Sequence, residues 1–200
     1  MQITKIFVKS ILAEVLATMK NVVARDPNKE AMTKPFYDAE KKAVVATDGR
    51  RMLVYYTDGL ESFTESGYIT YEKASGTVFC DPDNADRFPA WWRVLPVIGE
   101  GNYKKAVAID PAGVFGRKSS PVPLHYYMTA LLASEGLFIN GAFFEDIKKI
   151  SCYMDKVAFS DEKKTAPIVF TDSNVFFYVV MPFTEPRVEI VEAKKAEAAA

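Results

Sequence analysis

Hydrophobic and polar positions along this chain switch between a period of two and a helical period. Residues Ile3 to Val8 alternate and are rich in β-branched side chains, which predicts a strand. Ile11, Leu12, Val15, Leu16, Met19, Val22 and Val23 then recur at helical spacing, with Ser10 placed to cap the start and Asp26-Pro27-Asn28 placed to stop it. Lys9, Glu14, Thr18, Lys20 and Asn21 occupy the opposite, polar face. Pro35 to Asp38 and Ala43 to Thr47 look like two strands joined by the turn Ala39-Glu40-Lys41-Lys42. Asp48-Gly49 is a turn signal, after which Met52 to Tyr56 reads as a strand. Gly67 to Tyr71 and Thr77 to Cys80 predict a hairpin around Ala74-Ser75-Gly76.

Residues 81–127 carry Asp81-Pro82-Asp83-Asn84, several glycines and Pro121-Val122-Pro123, so irregular structure is expected there, with a strand at Ala106 to Ile109 and a short helix near Tyr126 to Ala133. Leu137 to Ile139 reads as a short apolar strand. Phe143, Phe144, Ile147 and Ile150 come next at helical spacing, then strands at Lys156 to Ser160, Pro167 to Thr171 and Val175 to Met181. The tail from Ala193 to Ala200 contains only Ala, Lys and Glu, a frayed helix or a disordered end. A strand, a helix and several strands thus occur near the start and again near the end. This predicts an α+β chain of two pseudo-symmetric strand–helix–strands halves.

Composition narrows the functional classes. A hydrophobic fraction of 49% over 200 residues supports a full core, in one large domain or two small ones. A net charge of −1 gives no global attraction for nucleic acid, so any DNA contact must come from a local basic surface. Cys80 and Cys152 could form one bridge, but there is no disulfide framework and no Cys-x-x-Cys, which favours a reducing, cytoplasmic setting. No stretch approaches the roughly 20 apolar residues of a membrane span. The single histidine, His125, has no partner at catalytic spacing, and no metal-ligand cluster, Gly-rich phosphate loop or Gly-x-Ser-x-Gly is present. We therefore expect no enzyme, no metal and no cofactor. Trp91 and Trp92 sit inside Phe88-Pro89-Ala90-Trp91-Trp92-Arg93-Val94-Leu95-Pro96, a setting that favours packing over base stacking.

Thr47-Asp48-Gly49-Arg50-Arg51-Met52 resembles the Thr-Asp-Gly-His-Arg-Leu turn of the bacterial DNA sliding clamp, the β subunit of the replicative polymerase, with Arg50 in place of His and Met52 in place of Leu. Phe88 to Pro96 resembles that family's Phe-Pro segment ending in Val-(Ile/Leu)-Pro. Asn140, Phe143 and Asp146 match the offsets of its helix start near the end, with Ile139 where the family has Phe. Tyr178-Val179-Val180-Met181-Pro182-Phe183 is similar to its C-terminal Tyr-Val-Val-Met-Pro-Met. The likeness spans most of residues 3–183, in the family's order but with shortened spacing. A bacterial clamp subunit has three domains, and this chain has room for fewer. We expect one compact domain over 1–185 with a tail at 186–200, or alternatively two truncated domains divided near 96.

The resemblance implies a clamp (processivity) fold and a non-catalytic protein that tethers polymerase or repair proteins to double-stranded DNA. It implies a hydrophobic pocket for short linear peptides at Thr47, Gly49, Arg50, Arg51, Met52, Pro96, Asn140, Phe143, Val180, Met181, Pro182 and Phe183. Met and aromatic side chains suit such an adaptable apolar surface, and a basic rim at Arg50 favours acidic peptides. It further implies DNA-facing lysines on the helices, here Lys9, Lys20, Lys148 and Lys149. A homo-oligomeric ring would close by pairing sheet edges, as a hexamer of one-domain chains or a trimer of two-domain chains. The alternative is an adaptor of the same fold that binds a protein partner without encircling DNA. No membrane partner is expected.

Overall fold

The computed structural model describes residues 1–97, 103, 106–108, 132–133, 136–160, 162–163, 165–172 and 174–182. Its strands are β1 (Gln2–Lys5), β2 (Phe36–Asp38), β3 (Ala43–Thr47), β4 (Arg51–Tyr56), β5 (Gly67–Glu72), β6 (Thr77–Asp81), β7 (Ala106–Ala108), β8 (Lys156–Ala158), β9 (Ile168–Thr171) and β10 (Phe176–Val180). They form one ten-stranded sheet in the order β1-β6-β5-β2-β3-β4-β10-β9-β8-β7. Every neighbouring pair is antiparallel. Strands from the first half of the chain fill one side and strands from the second half the other, meeting at the β4·β10 seam, where Arg51 faces Val180 and Tyr55 faces Phe176.

Helix α1 (Ile11–Met19) starts where Ser10 predicts, its Oγ accepting from the Ala13 N–H at 3.2 Å. Leu12, Val15, Leu16 and Met19 are buried by the helical period. The regular helix stops short of Val22 and Val23 because its last turn tightens, the N–H groups of Asn21 and Val22 bonding back to the carbonyls of Thr18 and Met19. Thr18, expected on the solvent face, is buried, whereas Ile11, expected in the core, is 41% exposed. Helix α2 (Ala142–Ile147) buries Phe143, Phe144 and Ile147, and Ile150 is buried just beyond it.

Both helices lie on one face of the sheet. Their apolar side chains share a core with Val44, Ala46, Leu53, Ile69, Val78, Phe170, Tyr178 and Val180. The alternate residues Ala43, Val45, Met52, Val54, Val169 and Val179 point to the other face, where Phe36, Phe88 and Trp91 cover them. Strand β3 is therefore buried along its whole length instead of alternating. Each fully buried aliphatic side chain contributes about 1.5–3 kcal/mol, so this doubly covered centre is the most stable part of the sheet.

Some elements differ from expectation. Strand β1 ends at Lys5, because the chain turns there into the α1 cap through a Ser10 N–H bond to the Phe7 carbonyl, and Phe7 is 73% exposed. Leu137 to Ile139 is no strand and supplies only an isolated bridge at Phe138. Its apolar character reflects a helix end, since Gly136 (φ 69°) and Leu137 bond back to the carbonyls of Ala133 and Leu132 in the Schellman pattern. Of the helix expected near Tyr126, Leu132 and Ala133 are described and helical. Its remainder, His125, Phe183 and the tail lie outside the described residues. No helix among the described residues is long and apolar enough to cross a membrane.

Candidate functional site

The β3–β4 turn is held by its own side chains. Thr47 Oγ1 donates to the Arg51 carbonyl at 2.7 Å and accepts from the Gly49 N–H at 3.1 Å. Asp48 Oδ1 accepts from the N–H groups of Arg50 and Arg51 at 2.8 and 3.0 Å. Gly49 has φ +86°, a left-handed conformation that strains any residue with a Cβ. Lys29 reaches across from the 3₁₀ turn Pro27–Met32 and donates from Nζ to the Asp48 carbonyl at 2.7 Å. The end of β10 is tied to the same turn, the Met181 N–H donating to the Arg50 carbonyl at 2.9 Å.

Beside this turn, on the face away from the helices, lies an open concavity. Met52 and Val179, paired across the β4·β10 seam, contribute from the sheet. Met32, Pro89, Trp91 and Val94 line it from the covering segments, and Thr47, Gly49, Arg50, Arg51 and Met181 from the turn side. Trp91 is fixed in place, its buried Nε1–H donating to Asp38 Oδ2 at 3.1 Å, while Phe88 stacks on Phe36 with ring centroids 4.4 Å apart. Met181 is 38% exposed and Val94 50%, so the apolar lining opens to solvent. Arg50 is exposed, and Lys29 Nζ would lie 3.3 Å from a Cβ at Gly49, so cations flank the opening.

The expected pocket set thus divides. Thr47, Gly49, Arg50, Arg51, Met52 and Met181 come together around the concavity. Val180 and Phe143 instead belong to the core beneath the helices. Asn140 Oδ1 accepts from the Ala142 N–H at 3.0 Å, an Asx turn that leads into α2. Pro96 and Pro182 are half-buried and do not line the concavity. Met32, Pro89, Trp91, Val94 and Val179 line it without having been expected to. Strand alternation was a usable signal for Val179, since it must point opposite to Tyr178 and Val180.

Arg51, expected among the pocket residues, has its guanidinium committed inside the protein. Its guanidinium donates to Asp48 Oδ2 at 3.1 Å, to the Asn21 carbonyl at 2.8 Å and to Asp146 Oδ2, and lies over the Phe143 ring at 4.5 Å. Burial opposes its charge, but the bond to Asp146 and the neighbouring Tyr178 outweigh this and hold its pKa above the ordinary value. Tyr178 donates to the Phe143 carbonyl at 3.0 Å, and burial raises its own pKa. Asn21 Nδ2 donates to the Asp146 carbonyl at 3.3 Å, so one polar cluster joins α1, α2 and the seam.

The expected DNA-facing lysines are all exposed and stand at helix ends: Lys9 before α1, Lys20 at its C-cap, Lys148 and Lys149 after α2. Lys20 Nζ donates to the Tyr71 carbonyl at 3.1 Å, and Lys148 lies 3.6 Å from Glu145. Trp91 is packed, as its setting suggests, whereas Trp92 is 47% exposed with Lys41 Nζ 4.9 Å above its ring. Cys80 and Cys152 are both free thiols. Burial, aided by Asp81, pushes Cys80 up to about 11, which keeps it protonated and unreactive. Among the described residues, no group of three or more His, Cys, Asp or Glu side chains is placed to hold a metal.

No protein-family model matches the chain, and no curated protein does. Solved structures do match. The DNA polymerase III β subunit of Thermotoga maritima aligns at 16% identity and a TM-score of 0.53, over 92% of this chain and 65% of its own. The Helicobacter pylori β clamp, bound to a DNA ligase peptide, aligns at 12% identity and 0.53, over 86% and 63%. The Pseudomonas aeruginosa β subunit aligns at 14% identity and 0.58, over 92% and 67%. This chain therefore spans about two thirds of the length of the clamps it matches. At such identities the likeness is one of fold, and the fold is the α+β fold of the bacterial sliding clamp.

Proposed function

We propose that this chain is a non-catalytic, sliding-clamp-like protein that tethers replication or repair proteins to double-stranded DNA and grips them by short linear peptides. The apolar concavity beside the β3–β4 turn carries this reading. It offers three methionines and an indole, the kind of surface that accepts varied apolar side chains of an extended peptide. Arg50 and Lys29 at the opening favour ligands with acidic residues beside the apolar anchors. The peptide seen on the Helicobacter clamp is a precedent for this class of ligand. In a fluorescence-polarisation titration, a peptide of two apolar residues flanked by glutamates binds saturably to this chain and more weakly to the Arg50→Glu variant. Absence of saturable binding by acidic, neutral and basic versions alike overturns the pocket reading.

The ring is the second part of the proposal. Among the described residues, β1 and β7 end the sheet with open edges, and pairing one with the other between copies closes a symmetric homo-oligomer. The separation of early and late strands at the β4·β10 seam favours two truncated domains divided near residue 96, and hence a trimer of six domain-sized units. Light scattering at high concentration then reports three copies, whereas a monomer sinks the ring. The adaptor reading has its own support: Lys20 and Lys148 are engaged, Glu14 and Glu145 stand beside the lysines on the helices, and the net charge is −1. DNA binding that weakens with salt and with Lys9→Glu/Lys149→Glu identifies the clamp, and no binding at low salt identifies the adaptor.

A further inference from the structure

The concavity ends at Pro89 and Trp91, and the same two residues form the near wall of a second groove. Phe88 and Trp92 extend its aromatic wall, and Asp38, Glu40 and Asp86 supply carboxylates. Asp38 is the unusual member. It shares the parity of Phe36 on β2, so it points toward the covering segments, and it is only 6% exposed. Its oxygens accept from two neutral donors, the Lys41 backbone N–H at 3.0 Å and the Trp91 Nε1–H at 3.1 Å. Among the described residues, no cation lies within ion-pair distance of it. A buried carboxylate without a countercharge is costly, and a cation entering the groove offsets that cost.

The rim of the groove already holds a cation of the chain's own. Lys41 Nζ rests 4.9 Å from the centre of the exposed Trp92 ring and 3.8 Å from Glu40. This ammonium faces three carboxylates, and neither Arg87 nor Arg93 lines the groove; Arg87 lies 3.8 Å from Glu30 instead. The concavity has the opposite sign at its edge, with Arg50 and Lys29. We propose that one extended peptide spans both hollows, its apolar anchors and acidic residues in the concavity and an arginine carried over the Pro89–Trp91 ridge into the groove. The proposal rests on the concavity being a peptide site and adds a charge order to its ligand. Arginine suits the groove better than lysine, because its planar guanidinium stacks on an indole while donating in its own plane to carboxylates. Opposite signs at the two ends of one track also set the ligand's direction, since a reversed peptide brings like charges together.

The test is a polarisation series on the full chain. Each peptide carries a pair of apolar residues and glutamates, and a single arginine is moved outward from the pair one residue at a time, on either side. A matching peptide has glutamine at that position, and another has lysine. At one placement, arginine tightens binding about ten-fold over glutamine, and lysine does so less. Trp92→Ala and, separately, Glu40→Gln with Asp86→Asn bring that ratio toward one. Lys41→Met raises it, because the chain's own ammonium no longer competes for the ring. Equal binding of the arginine and glutamine peptides at every placement, or a ratio that these variants leave unmoved, overturns the groove and leaves the concavity standing as a peptide site. No saturable binding by any peptide overturns both.

Discussion

The two faces of the β4·β10 seam are made by the same strands and serve opposite ends. On the helix side, Leu53, Tyr178 and Val180 are sealed beneath α1 and α2, and Arg51 binds the turn to both helices through Asp48, Asn21 and Asp146. On the other side, Met52 and Val179 sit under a single layer of covering segments that leaves an opening at Met181 and Val94. Neighbouring residues in the chain therefore have unlike duties. Arg51 is structural and Arg50 is available, and Trp91 is anchored while Trp92 faces solvent. A two-residue period gives a strand both a locked face and an open one, and side chains on the open face can vary without disturbing the core behind them.

Substitutions on the two faces sharpen or break this contrast. The largest effect is expected for Arg51→Met, which strands Asp146 and Asp48 without their cation and loses the link between the helices. It costs about 3–5 kcal/mol, read as a lower denaturant midpoint, and Arg51→Lys fails to restore it because one ammonium cannot reach all the partners. An unchanged midpoint would mean that the helix face is not locked by this cluster. Trp91→Phe is intermediate. It keeps the aromatic cover but leaves Asp38 Oδ2 buried without its indole donor, a loss of about 1–3 kcal/mol in the same measurement. The smallest stability change is expected at Met181→Ser, under about 0.5 kcal/mol because the side chain is partly exposed, yet peptide affinity in polarisation titrations falls about ten-fold. A large destabilisation there, with peptide binding intact, would reverse the roles assigned to the two faces.

Regular periods made much of the fold legible. Ser10 with the apolar positions of α1, the hairpin of β5 and β6, and the paired β2 and β3 are all local patterns with a local cause. Leu137 to Ile139 misled because a short apolar run does not distinguish a strand from the buried residues after a helix end, and Gly136 was the signal that it succeeds a helix. The site was half legible. Thr47, Gly49 and Met181 stand at a turn and a strand end, which sequence marks directly. Met32, Pro89 and Val94 arrive from segments without a period, and only the tertiary arrangement brings them to the same opening. The inward commitment of Arg51 was readable in principle, since it shares the parity of Leu53 and so points toward the helices.

The seam has a consequence for how the molecule is made. Strands β2–β3, β3–β4 and β5–β6 are hairpins, and all of β1 to β6 leave the ribosome well before β10. Their pairing is mostly local, so they close early, whereas the partner of β4 is among the last strands to be synthesised. Until it emerges, β4 is a bare edge carrying Met52, Leu53 and Val54, open to pairing with the wrong chain. Slowing synthesis after residue 81 should therefore increase aggregation, and rapid delivery of the last strands should suppress it. The seam that joins the two halves is also the step at which a nascent chain is most exposed.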